Sequence, residues 1–215
     1  MSDARVTFER WESLFRELRC GRGERQEFDR LVKAWREPHR HYHSLDHLEA
    51  CLAEFDAVRD LAQRPAEVEL ALWFHDAVYS PRSDDNEAKS AAWARRVLRA
   101  AVVPDTVAER IESYVLATRE HAEGAQGDAA LVVDVDLAVL GRSPEAYARY
   151  AQAVRAEFRW VPGFLYRRGR RQVLEKLLKR SHLYSTAEFR GRYETLARAN
   201  LEQELATLAG RRSAA

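Results

Sequence analysis

Residues 68–79 read VELALWFHDAVY, and almost every side chain before the His75-Asp76 pair is apolar. A helix that is apolar on all sides is buried inside a domain, so we predict that this segment is a central helix. Burying an imidazole next to a carboxylate is costly unless the two groups are paired or bound to a cation. The apolar pattern therefore predicts that this helix lies at the centre of the fold, and the His75-Asp76 pair marks a candidate functional site.

Amphipathic helices are predicted on both sides of this segment. Apolar residues recur at three- and four-residue steps before Gly21, after Ser44 and in most of the chain beyond Ser143. The stretch ALVVDVDLAVLG is ambiguous, because its β-branched residues alternate with aspartates as in a strand. We predict that it is also a helix, that the chain is all-α, and that residues 1–215 form one domain.

The composition limits the partners that we expect. The 35 basic and 34 acidic residues give a net charge of +1, so no global field favours nucleic acid or an anionic membrane. Cys20 and Cys51 are too few for a disulfide framework or a cysteine-based zinc site, which indicates a reducing compartment. No N-terminal apolar signal and no apolar run of about 18 residues is present. We expect a cytoplasmic protein that does not enter a membrane.

The histidines are clustered, with four of the seven lying within residues 39–47. His43 and His47 are four residues apart at the predicted start of a helix, so both could reach one site. With His75, Asp76 and the downstream VDVDL segment they provide a mixed set of nitrogen and oxygen donors. Such a set suits a divalent metal that keeps open positions for water and substrate. We expect no thiolate ligand, which argues against a purely structural zinc.

The order H, HD, D on successive helices resembles the HD-domain phosphohydrolase superfamily. The chain is similar to its family of predicted metal-dependent phosphohydrolases over most of residues 8–208. This resemblance implies an HD-domain helical bundle with additional N- and C-terminal helices, in which a metal-site core at about 38–141 precedes a helical extension at 143–209. The similar stretches are RHYHSLDHLEAC, ALWFHDAVY, DNEAKSA, ATREH, VDVDLAVLG and YARYAQAVRAEF.

The resemblance also assigns metal ligands. It implies that His47, His75 and Asp76 bind the ion. The Asp-Leu dipeptide resembles the family's closing ligand, which favours Asp136, with Asp134 as the alternative. The ligand set tolerates Mn, Fe, Mg, Co, Ni or Zn.

Candidate catalytic residues are indicated as well. YHSLDH resembles the H-x-x-x-H element of the helical cyclic-nucleotide phosphodiesterases, which implies that His43 is a general acid. Glu87 is a candidate base or support for a ligand, with Asp85 as its rival. Further candidates for contacts with phosphate are Arg40 and Lys89, then Arg119, Arg167 and Arg170, and also His121, which could instead hold a second metal.

The resemblance implies hydrolysis of a phosphate ester by metal-activated water, on a small phosphorylated substrate for which a nucleotide is favoured. It leaves open whether this is a monoesterase, a diesterase or a pyrophosphohydrolase, and whether the protein is a homo-oligomer. Two other interpretations remain. DVDLAVLG could be a strand carrying an aspartate nucleophile, as in haloacid-dehalogenase-like phosphatases, but the surrounding pattern of successive helices does not support a parallel sheet. The chain could also be a non-catalytic helical module that binds a nucleotide or a metal.

Overall fold

The computed structural model describes residues 4–119 and 124–210, and within these ranges the chain is all-α with no strand, as predicted. ALVVDVDLAVLG forms a helix and a short 3-10 turn. No helix in the described residues is both long and apolar enough to cross a membrane. The helices are α1 (Phe8–Glu17), α2 (Arg25–Trp35), α3 (Leu45–Asp56), α4 (Pro65–Phe74), α5 (Asn86–Ala100), α6 (Asp105–Ala117), α7 (Gly127–Leu137), α8 (Pro144–Glu157), α9 (Gly163–Leu178) and α10 (Ala187–Leu208), with 3-10 turns at Arg59–Leu61 and Ala138–Gly141.

The chain divides into two compact units, residues 1–136 and 137–215. The first contains α1 to α6 and nearly all of α7. The second contains the 3-10 turn at Ala138–Gly141 and helices α8 to α10. The prediction that residues 1–215 form a single domain stays a prediction.

Helix α4 is the centre of the first unit, as its apolar sequence predicts. Pro65 occupies the first turn, where a missing N–H is tolerated, and every residue from Ala66 to Phe74 is buried. The helix packs against α1, α3, α5 and α6. Trp35 donates a hydrogen bond from its indole Nε1 to the carbonyl oxygen of Trp73 over 3.1 Å. The buried aromatic side chains therefore fix the position of the C-terminal end of α4.

The C-terminal end of α4 differs from the sequence prediction. The apolar pattern predicted a helix through Tyr79, but the helix ends at Phe74 and residues 75–78 form turns. Ala77 N–H still donates to the carbonyl oxygen of Phe74 over 3.0 Å, and Val78 N–H donates to the side chain of Ser90, at Oγ, over 3.0 Å. His75 and Asp76 are consequently presented from a turn at the end of a buried helix.

In the second unit, α10 packs against α9 and against the 3-10 turn at Ala138–Gly141. The Asn200 side-chain amide donates to the carbonyl oxygens of Leu140 and Arg142 over 2.8 and 2.9 Å. Tyr184 donates its hydroxyl proton to the carbonyl oxygen of Leu137 over 3.1 Å. These bonds satisfy backbone carbonyls where the chain leaves α7.

Candidate metal centre

Three segments of the first unit bring two imidazoles and a carboxylate together. His47 comes from the first turn of α3, His75 from the end of α4 and Asp136 from the last turn of α7. His47 Nε2 lies 3.1 Å from His75 Nε2 and 3.1 Å from Asp136 Oδ1. His75 Nε2 lies 3.6 Å from the same carboxylate oxygen.

These three separations are close to those of ligands that share one ion. Donors about 2.1 Å from a metal are separated by about 3.0 Å when they are at right angles and by about 3.4 Å in a tetrahedron. The carboxylate of Asp76 lies at the edge of the group, with Oδ2 at 3.3 Å from His75 Nε2. Of the four residues that the sequence marked as ligands, His47, His75 and Asp136 therefore lie together, whereas Asp76 lies beside His75 and is not among the clustered side chains. The role of all four as ligands stays a prediction.

A hydrogen bond orients the His75 ring. Its Nδ1 lies 2.8 Å from the carbonyl oxygen of Leu72. Because a carbonyl can only accept, Nδ1 carries a proton and donates. Nε2 is thereby directed at His47 and Asp136. Metal-binding histidines are commonly oriented by this kind of support on the second ring nitrogen.

The two imidazoles have opposite electrostatic environments. Burial disfavours the charged form of both rings. For His47 burial prevails over the attraction of Asp136 and lowers the pKa. For His75 the carboxylates of Asp76 and Asp136 together outweigh burial and raise the pKa to about 9. The surroundings of His75 Nε2 thus favour a positive charge, which either a proton or a metal ion can supply.

The geometry of α7 distinguishes Asp134 from Asp136 as the candidate ligand. Residues two apart on a helix point to nearly opposite sides. Asp136 belongs to the cluster, whereas Asp134 is fully buried and is not among the metal-ligand-type side chains grouped there in the described residues. The structure therefore favours Asp136 over its alternative.

Cys51 is a member of the cluster that sequence reasoning missed. It is buried one helical turn after His47 on α3, and its Sγ lies 3.7 Å from both ring nitrogens of that histidine. A thiol therefore accompanies the candidate ligands, and the expectation that no thiolate binds the metal stays untested. The four-residue spacing from His47 was the available signal, because residues i and i+4 share a helix face.

Arg40 is close to the site but has a different environment from that expected of a phosphate-binding group. Its side chain is fully buried. The guanidinium donates to the carbonyl oxygens of Asp76 and Ala77 over 2.6 and 3.0 Å. Its Nε donates to the Glu37 carboxylate over 3.0 Å. Since its other donors are directed at backbone carbonyls, Arg40 holds the turn after α4, and its burial does not support a contact with substrate.

His43 lies at the edge of the cluster, with a half-exposed side chain. Its ring is stacked on Tyr79 with centroids 4.1 Å apart, and its centroid is 6.1 Å from that of His47. This position is compatible with the proton-donating role that the sequence implied. The role itself stays a prediction.

The remaining candidates are not joined to the cluster by any contact within the described parts of the chain. Glu87 is half-exposed in the first turn of α5, and its side chain makes no hydrogen bond or ion pair with the described residues. Lys89 forms a surface ion pair with Asp85 over 2.8 Å. The other candidates have the following positions: Arg119 and Arg167 are exposed, Arg170 is paired with Glu204 in the second unit, and His121 lies outside the described residues.

Comparisons with protein-family models, with curated proteins and with solved structures found no match to this chain.

Proposed function

We propose that this protein is a metal-dependent phosphohydrolase that cleaves a small phosphate ester, with a nucleotide as the favoured substrate class. The observation that carries the proposal is the convergence of His47, His75 and Asp136 at 3.1 to 3.6 Å from one another, with Asp76 alongside. These are the residues that the likeness to HD-domain phosphohydrolases assigns to the metal. The nucleotide class rests on that likeness alone.

The donor set fits a catalytic divalent ion. Two imidazole nitrogens and two carboxylates suit Mn, Fe, Co, Ni, Zn or Mg, and His47, His75, Asp76 and Asp136 would hold the ion. When bound, the ion would supply a water of lowered pKa and offset charge on the phosphoryl oxygens.

The other residues of the site would position and protonate the substrate. His43 is half-exposed beside the cluster, where its imidazolium would donate a proton to the leaving oxygen. Arg40 would keep the segment carrying His43 and the turn carrying Asp76 in a constant arrangement, because its guanidinium bonds to carbonyl groups in both. We also propose that the enzyme works in the reducing environment of the cytoplasm, which rests on its content of only two cysteines.

The test compares metal content with hydrolysis. Purified wild-type protein is analysed for metals and assayed, with each candidate ion added, on an aryl phosphate and on a panel of nucleotides. Asp136→Asn and Asp76→Asn remove one ligand charge each, and Asp46→Asn is the matched control, because Asp46 is exposed beside His47 on the same helix. We expect bound metal and hydrolysis in the wild type and the control, and loss of both in the two ligand variants.

Two results would argue against the proposal. If the wild-type protein binds no divalent ion under any of these conditions, the proposed metal centre is wrong. Hydrolysis that is unchanged in Asp136→Asn would mean that the reaction takes place elsewhere.

The alternative function, a non-catalytic metal- or nucleotide-binding helical module, is favoured by one observation. His47, Cys51, His75 and Asp136 could supply four protein ligands within 4.8 Å of one another. Four protein ligands around one ion are typical of structural zinc sites, which leave no position for water. Stoichiometric metal without turnover on the whole panel would support this module.

A further inference from the structure

We propose that Cys51 is an additional metal ligand of this site, and that its thiolate makes the site prefer thiophilic ions such as Zn²⁺ and Co²⁺ over Mg²⁺ and Mn²⁺. The inference rests on the metal centre assigned in the proposed function and applies whether that centre is catalytic or structural.

The sulfur is buried beside the candidate ligand His47. Cys51 is 2% exposed. Its Sγ lies 3.7 Å from His47 Nε2. In a tetrahedral site with metal–sulfur and metal–nitrogen distances of about 2.3 and 2.1 Å, the two donors are about 3.6 Å apart. The observed separation is close to this value, but Sγ lies at the same 3.7 Å from His47 Nδ1, so coordination requires the Cys51 side chain to turn toward the Nε2 side of the ring.

The sulfur also approaches the other ligand atoms. A ligand atom from each of His47, Cys51, His75 and Asp136 lies within 4.8 Å of all the others. His47 and Cys51 are on one face of α3, so rigid helical geometry holds two of the four donors at a constant spacing. The other two come from separate segments that pack against this face.

The chemistry of the donors gives the selectivity. Mg²⁺ and Ca²⁺ prefer oxygen ligands, whereas a thiolate favours Zn²⁺ and other softer ions. Binding exchanges the S–H proton for the metal, and the proton leaves to solvent. A buried cysteine that served only as a small apolar side chain would add nothing to this preference.

The experiment follows the sulfur–metal bond spectroscopically in the full-length protein loaded with Co²⁺. A thiolate bound to Co²⁺ gives a charge-transfer band in the near ultraviolet, while the visible d–d bands report the ion whichever ligands hold it. Cys51→Ala and Cys51→Ser remove the thiol, and Cys20→Ser is the matched control for cysteine content, since Cys20 lies after α1 and outside the cluster. We expect the near-ultraviolet band in the wild type and Cys20→Ser, and its loss in both Cys51 variants with the visible bands retained.

Affinity measurements give the second readout. Both Cys51 variants should lose affinity for Zn²⁺ by at least the roughly 10- to 100-fold that is typical when groups supporting a metal site are removed. Their affinity for Mn²⁺ should change much less. Agreement between the Ala and Ser variants excludes an effect that is specific to one replacement side chain.

The outcomes separate the two proposals. Co²⁺ bound with visible bands but no near-ultraviolet band in the wild type would overturn the role of Cys51 and leave the phosphohydrolase intact. A Cys51-dependent band in a protein that hydrolyses none of the phosphate esters would support the thiolate ligand and overturn the proposed activity. Failure to bind either Co²⁺ or Zn²⁺ would overturn both the proposed metal centre and the proposed role of Cys51 as a ligand.

Discussion

Arg40 donates a hydrogen bond from Nη1 to the carbonyl oxygen of Asp76 over 2.6 Å. The same nitrogen lies 3.2 Å from the carbonyl oxygen of His43. One buried guanidinium thus joins the backbone of the candidate general acid to the backbone of a candidate metal ligand. The rings of Trp35 and Tyr79 lie within 5.5 and 5.6 Å of the guanidinium carbon and restrict its position.

Replacement of Arg40 should therefore weaken metal binding without removing a ligand. Arg40→Met leaves the buried carbonyls of Asp76 and Ala77 without their donor, which costs about 1 to 3 kcal/mol for each unsatisfied group. We expect a lower free energy of unfolding and a roughly 10- to 100-fold loss of metal affinity, as for other groups that support ligands. Denaturant titration and calorimetric metal titration measure the two effects.

Arg40→Lys and Arg36→Met are compared with Arg40→Met. Lysine keeps the charge but cannot bond to several carbonyls in one plane, so it should rescue only part of the loss. Arg36 is exposed, and its replacement should change neither quantity. Metal affinity of wild-type strength in a folded Arg40→Met protein would contradict the positioning role.

His43→Ala tests the general acid. A proton donor contributes about 10²- to 10⁴-fold, and it matters most when the leaving group is basic. We expect a large fall in kcat for an alkyl or nucleoside phosphate and a small one for nitrophenyl phosphate, whose leaving group needs no proton. His41→Ala is the control, because His41 is exposed two residues away. Equal losses on both substrates would instead indicate a role in binding or folding.

Gly141 and Gly191 form a matched pair for the packing of the second unit. A methyl group on Gly141 would approach the Cα atom of Tyr193 to 2.9 Å and contact its Cβ, whereas one on Gly191 would meet nothing within 4 Å. Gly141→Ala should destabilise the protein by about 1 to 3 kcal/mol, as other overpacked sites do. Gly191→Ala, in the interior of α10, should stabilise it by about 0.4 to 1 kcal/mol. Thermal unfolding of the two variants tests the difference in sign.

Asp56 should contribute stability that is lost in acid. Burial opposes its charged form, but the guanidinium groups of Arg10 and Arg5 outweigh this effect and hold the pKa of its carboxyl below the ordinary value of 3.8. A carboxyl whose pKa is lower in the folded state stabilises the fold above the unfolded-state pKa and loses this contribution as the pH falls through the folded-state pKa. Asp56→Asn should therefore be less stable than the wild type near neutral pH.

The difference between Asp56→Asn and the wild type should shrink as the pH falls below 3.8. Denaturant midpoints measured from neutral pH into this range give the comparison. Asp60→Asn, a substitution of an exposed carboxylate on the neighbouring 3-10 turn, is the control. A difference between Asp56→Asn and the wild type that stayed constant across this range would show that the ion pairs do not contribute.

The sequence alone determined the helical class and the central position of α4. Periodic apolar residues specify which side of a helix is buried, and a segment apolar on all sides must lie in the interior. It also indicated a site at His75 and Asp76, because a buried imidazole and carboxylate need a partner charge. His47 became a candidate through the spacing of the clustered histidines, and its role as a ligand came only from the resemblance to HD-domain phosphohydrolases. Apart from that role, these conclusions depend on local spacing and on burial cost, which can both be read from a single chain.

Tertiary structure decided the rest. Local spacing could not choose between Asp134 and Asp136, because either could face the site until the rotation of α7 about its axis was known. It could not show that Cys51 lies near His75 and Asp136 from two other segments, or that the buried Arg40 bonds to the carbonyls after α4. The physical reason is that each of these features depends on atoms from segments distant in sequence, and only the packing of the helices determines their distances.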